Sequence, residues 1–284
     1  MNGKSIYRVL ISLISLGMLL VGGLAVASPA NSPLGGTFTS LTYVCSGTPV
    51  PAGWIVSEVR QNPSKCGANL EWGMYSPPSS ASKVTACEFS PVPDIWLVES
   101  VNTSAYTTCS PYRQMGLVRI TPSMTTWNVC DGFPLPIGWI YDYTAGGSSC
   151  GPYITMSARL LQSYETQAIA CESTTVPPNW VITAVAIGTC APYRNETIRK
   201  VQTYDSQIAV CESSPQLPGW VISSVGSSSS CGPYRGEVIS KIQSYQNMLQ
   251  VCANTNLPPG WIVTGSAVNT NVCGPYLVYT IVKS

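Results

Sequence analysis

The chain has no histidine. That absence removes the Ser-His-Asp and Cys-His arrangements of nucleophilic catalysis, and with them the nitrogen ligand of many zinc sites. No Cys-x-x-Cys pair occurs either, so neither a metal nor a cofactor is expected. Charge is scarce, at 10% of residues. Without Lys4 and Arg8 near the start, twelve basic residues face thirteen acidic ones. So neutral a surface gives no footprint for nucleic acid or anionic lipid. No stretch places apolar residues at helical spacing over a useful length. After the first thirty residues, no apolar run is long enough to span a bilayer.

What is present begins with an export signal. Lys4 and Arg8 precede an apolar run from Val9 to Val26, and Ala25-Val26-Ala27 is a small-x-small cleavage site. Residues 1–27 are expected to be a signal peptide and residues 28–37 a Pro/Gly-rich linker. An uncleaved anchor is the alternative, against which Gly17, Gly22 and Gly23 speak. The expected location is secreted or at the cell surface, with no membrane insertion after cleavage. Twelve cysteines, an even number, fit a disulfide framework in an oxidising compartment.

All twelve belong to a repeat. First cysteines stand at Cys45, Cys87, Cys130, Cys171, Cys211 and Cys252, and a tryptophan follows each by nine residues: Trp54, Trp96, Trp139, Trp180, Trp220 and Trp261. Second cysteines are Cys66, Cys109, Cys150, Cys190, Cys231 and Cys273, each 21 residues before the next first cysteine. Length varies only between the tryptophan and the second cysteine, in Gly/Ser tips such as Ser227 to Ser230. Residues 38–284 therefore read as one domain of six units, starting near Phe38, Lys83, Thr126, Gln167, Gln207 and Met248. Each unit offers three strands: one ending at the first cysteine, one starting at the tryptophan, one following Cys-Gly-Pro-Tyr. Both residues after each tryptophan are apolar or aromatic, as in Val181/Ile182 and Val221/Ile222. Neighbouring strand residues point to opposite faces, so this strand is covered on both sides, as it would be between stacked units.

The sequence order suggests a closed ring. The third strand of each unit turns into the first strand of the next, which leaves Thr39 to Cys45 and Leu277 to Val282 without partners. Their pairing would remove two sheet edges. The expected fold is all-β, a closed six-bladed β-propeller, with a linear array of small disulfide-stapled β modules as the alternative. Disulfides within each unit are favoured over bridges between units; either way the loops hold about 20 residues, which contributes roughly 3 kcal/mol each. Unit one departs from the pattern through Gly67-Ala68-Asn69, Pro77-Pro78 and the extra Trp72.

Three groups of side chains could carry chemistry. The six repeated tryptophans read as structural packing residues. Tyr112, Tyr153, Tyr193, Tyr234 and Tyr276 are expected to be exposed beside the loop tips. Arg113, Arg194 and Arg235 follow three of these tyrosines, and Glu88, Glu172 and Glu212 each follow a first cysteine. Aromatic, guanidinium and carboxylate together suit hydroxyl recognition, although an inter-unit ion pair would use the same residues. Glu99 and Asp142 occupy equivalent places three residues after the tryptophan, and are the one pair that could serve a glycosidase. The first functional reading is thus a multivalent, lectin-like binding protein for an extracellular glycan or other hydroxyl-rich partner. The second is a structural surface or matrix component that assembles with itself into a filament or lattice. A glycosidase-like enzyme using Glu99 and Asp142 comes third, and the protein is not expected to be an enzyme.

Overall fold

A computed structural model describes residues 41–284. The signal peptide, its cleavage site, the linker at 28–37 and the unit-one start at Phe38 lie outside these residues. The described chain is all-β apart from two single helical turns, and it forms six three-stranded antiparallel sheets. Module one holds β1 (Thr42–Cys45), β2 (Ile55–Gln61), α1 (Pro63–Cys66) and β3 (Leu70–Tyr75). Module two holds β4 (Lys83–Cys87), β5 (Trp96–Asn102) and β6 (Gln114–Arg119). Module three holds β7 (Thr126–Cys130), β8 (Trp139–Thr144) and β9 (Thr155–Leu160). Modules four and five hold β10 (Gln167–Cys171), β11 (Trp180–Ala186), β12 (Asn195–Lys200), and then β13 (Gln207–Cys211), β14 (Trp220–Gly226), β15 (Gly236–Lys241). Module six holds β16 (Met248–Cys252), β17 (Trp261–Val268), α2 (Thr270–Cys273) and β18 (Leu277–Lys283).

In every sheet the third strand lies in the middle, between the first and second strands of its own module. This overturns the argument for a ring. β1 pairs with β3 and β18 pairs with β16 and β17, so neither end strand is left over. Among the described residues no sheet joins module six to module one, and the extensive contacts between modules link sequence neighbours only. The molecule is a row of disulfide-stapled β modules, the alternative expectation, and not a closed propeller. The six disulfides account for the choice of partner. Each joins the first and second cysteines of one module, with Cα atoms 5.2–5.4 Å apart. That link brings the start of the third strand beside the end of its own first strand, as in Cys171 opposite Asn195.

Local chemistry places the second strand. The backbone N–H of each tryptophan bonds the carbonyl three residues back, as from Trp54 to Pro51 at 3.0 Å and from Trp139 to Pro136 at 3.0 Å. In five modules the residue before the tryptophan has positive φ, namely Gly53, Gly138, Asn179, Gly219 and Gly260. A turn of this kind requires glycine or asparagine there. In module two the same place holds Ile95 without positive φ. The strand then bulges at the third residue after the tryptophan, where the register shifts in all six modules. Pro77-Pro78 of module one falls past the end of β3, so that strand is intact.

The core is continuous from module to module. Ile182 packs with Trp180 in the core of module four, together with the Cys211 and Cys231 disulfide of module five. Its neighbour Val181 faces the other way, into the core of module five with Val210 and Trp220. The second strand is thus covered on both faces in modules one to five, but not in module six, where Ile262 and Val263 are exposed; the disulfide of each following module forms part of the preceding core. The tryptophans of modules two to five are buried, as a packing role requires.

Candidate functional site: the joint between modules

The outer edge of each second strand would carry unpaired N–H groups, a liability in any sheet. The bulge spaces two of these donors three residues apart; the next module accepts from both at joints one, three and four, from the second alone at joint two and from the first alone at joint five. The first, two residues after the tryptophan, donates to a hydroxyl three residues after the next first cysteine. Val56 N meets Ser90 Oγ at 2.9 Å and Tyr141 N meets Thr174 Oγ1 at 3.0 Å. Ile182 N meets Ser214 Oγ at 3.0 Å and Ile222 N meets Thr255 Oγ1 at 2.9 Å. The second donor reaches the carbonyl just before the next second cysteine. Val59 N to Thr108 O, Val101 N to Ser149 O and Val185 N to Ser230 O are each 2.8 Å, and Thr144 N to Thr189 O is 3.0 Å. The Gly/Ser tip is therefore solvent-facing except for the one carbonyl that closes the joint.

The tyrosines form a third contact. Tyr153, Tyr193, Tyr234 and Tyr276 donate their hydroxyls to Glu88, Asp131, Glu172 and Glu212 of the preceding module. All four are half-buried, contrary to the expected exposure; only Tyr112 is exposed. The acceptor carboxylates hold these phenols above their ordinary ionisation range, Tyr193 being pushed up to about 12 by its bond to Asp131. For Tyr153, Tyr234 and Tyr276 the hydrogen bond to glutamate is again the leading cause of a rise. Arg113 pairs with Glu88 at 2.9 Å and Arg194 lies 3.7 Å from Glu172, so the arginines steady the same carboxylates. Arg235 lines the same joint one module further on, beside Gly274. Most residues read as a recognition cluster are brought together at the joints, where the Tyr-to-acid bonds cross between modules and the Arg113–Glu88 and Arg194–Glu172 pairs lie within one module.

The first joint is built differently. Module one has Ser46 where an acid would stand, and Tyr112 instead packs on Phe89 with ring centroids 4.5 Å apart. Phe89 in turn lies 4.8 Å from Trp72, which gives the extra tryptophan of unit one its place. The joint between modules two and three lacks the hydroxyl, because Phe133 occupies that position.

Glu99 and Asp142 sit at the bulge, each held by a basic group of its own module. Lys83 lies 2.7 Å from Glu99, and Arg159 lies 3.3 Å from Asp142. Trp127 Nε1 also donates to Glu99 at 3.3 Å.

Sequence reading passed over three features. Asp131 is the fourth latch acid, hidden by being aspartate among glutamates. The clamp hydroxyls Ser90, Thr174, Ser214 and Thr255 recur at one fixed place, a signal that hydroxyl-rich composition drowned. The third is a set of buried carboxyls in the central strand, at Glu71, Glu196 and Glu237, where modules two and three have Met115 and Met156. Bonds from Lys65, Asn62 and Arg60 pull Glu71 down to about 2. Burial, with the Glu172 charge behind it, pushes Glu196 up to about 7. Burial also raises Glu237, against the opposing bond from Asn254 Nδ2 at 2.7 Å. Glu237, Glu212, Asn254 and Tyr276 share a cavity of about 340 Å³ at the fifth joint.

Six disulfides suggest an oxidising, extracellular compartment, and among the described residues no helix is long and apolar enough to cross a membrane. No protein-family model, curated protein or solved structure matches this chain.

Proposed function

We propose that the protein is a secreted structural component of a surface or matrix, and that it works by assembling with itself. The observation that carries this reading is the use made of the repeated Tyr, acid and Arg residues. The tyrosine hydroxyls bond acids of the neighbouring module and Arg113 and Arg194 pair with two of those acids within their own module, so what recurs along the chain is chemistry for joining modules. Disulfides at every module and a neutral, hydroxyl-rich surface suit a protein that must persist outside the cell. Electron microscopy of the oxidised mature protein tests the proposal. Filaments or a lattice are expected; dispersed monomers at every concentration, with the fold intact, would overturn it.

A further inference from the structure

We propose that copies of this chain join head to tail, the exposed face of β17 in module six seating on the disulfide face of module one of a second copy. The inference rests on the self-assembly reading and names the contact through which it would occur.

Five internal joints show what covers the second strand of a module, and among the described residues nothing covers that of module six. Val221 and Ile222 of module five are 2% and 5% exposed, whereas the equivalent Ile262 and Val263 are 51% and 42% exposed. Trp261 is half-buried where Trp220 is buried. Both faces of β17 thus leave apolar side chains open along a sheet edge, which soluble proteins normally cover or interrupt with charge. Nothing charged interrupts it: the strand reads Trp-Ile-Val-Thr-Gly-Ser-Ala-Val.

Module one presents the complement. Thr48 stands where Ser90, Thr174 and Thr255 take the clamp hydrogen bond, but it is exposed while they are buried. Val44 and Cys45 are half-buried, whereas Val251 and Cys252 of module six are 0% exposed beneath module five. The resemblance between the leading faces of modules one and six goes further. Only these two carry a helical turn before the second cysteine, α1 and α2. Each turn follows an asparagine and ends at a glycine, Gly67 at φ 60, ψ −125 and Gly274 at φ 57, ψ −119. Since α2 already packs on β14, the fifth joint is the template for the proposed one.

The latch is missing from both sides together. Module six has Ala253 where the acid would be, and module one has Asn69 where the tyrosine would be. A joint between copies would keep the apolar plug and the clamp, Val263 N to Thr48 Oγ1, and would bury no lone carboxylate. Such a contact uses two different surfaces, so each added copy presents a fresh end and the row continues.

Two single-face variants test this. Val263→Asp blocks the tail and Thr48→Asp blocks the head, each at an exposed residue. Sedimentation velocity on the oxidised chains should show wild type growing with concentration and each variant alone associating roughly a hundredfold more weakly, because a charge would be buried without a partner. Mixing the two should give a one-to-one dimer and nothing larger, since one intact head and one intact tail remain. Should Val263→Asp fail to fold, shown by loss of its near-ultraviolet circular dichroism, Ile262→Asp takes its place. Assembly that persists undiminished in both variants would overturn the head-to-tail contact while leaving self-assembly standing. A wild type that stays monomeric throughout would overturn both.

Discussion

Replacing Glu196 with glutamine should stabilise the protein at pH 8 and leave it unchanged below pH 4.5. The side chain lies in the central strand of module four, 3% exposed, and its carboxyl is raised from 4.5 to about 7. Burial is the main cause and the charge of Glu172 the second. Between these two values the folded chain keeps a proton that the unfolded chain has released, so stability falls as pH rises. Below 4.5 both states are protonated and the penalty is absent; above 7 it is complete. At about 1.4 kcal/mol per pH unit, the full effect is on the order of 3 kcal/mol. A row of modules need not unfold in one step, so denaturant midpoints should be read beside amide exchange in β10 and β12. The wild type should lose stability relative to Glu196→Gln from pH 4.5 to pH 7, and the two should run parallel above it. Profiles that run parallel across the whole range would refute a buried, proton-holding Glu196.

Two further substitutions address the joints. Thr174→Val leaves Tyr141 N without its acceptor and should cost about 1–3 kcal/mol by denaturant unfolding, while Thr174→Ser keeps the bond and should cost little. Tyr193→Phe removes a hydrogen bond to a carboxylate and should cost about 1.5–3 kcal/mol. In an ultraviolet titration it should also remove a phenol that ionises near pH 12.

Much of the local structure was legible because the repeat imposes it. The apolar pairs after each tryptophan announced a strand covered on both faces, and Val181 and Ile182 do face opposite cores. Disulfides within each module followed from the bland reading of cysteine spacing. Strand partners were not legible, because periodicity identifies strands without saying which of them pair. The short turn after each third strand suggested a hairpin with the next module, as at Tyr204-Asp205-Ser206-Gln207. In the structure that turn closes locally, Asp205 accepting from Gln202 N at 2.8 Å and from Arg199 at 2.8 Å, and the chain moves on to a new sheet. The Tyr, Arg and Glu group was legible as a cluster, with an inter-unit ion pair as one of its readings, but the Tyr-to-acid bonds that make the joint were not. Which residues meet across modules depends on the order of strands, and Asp131, Thr174 and Glu196 show their role only once that order is known.

The central claim is that the modules form a row in which each leans on its sequence neighbours alone. Ending the chain at Asn247 removes module six and tests this most directly, with amide exchange read in every remaining strand. The account predicts that β1 to β12 keep their protection and that only module five, newly uncovered at Val221 and Ile222, loosens. Loss of protection in module one would contradict it, since only a ring ties the two ends together.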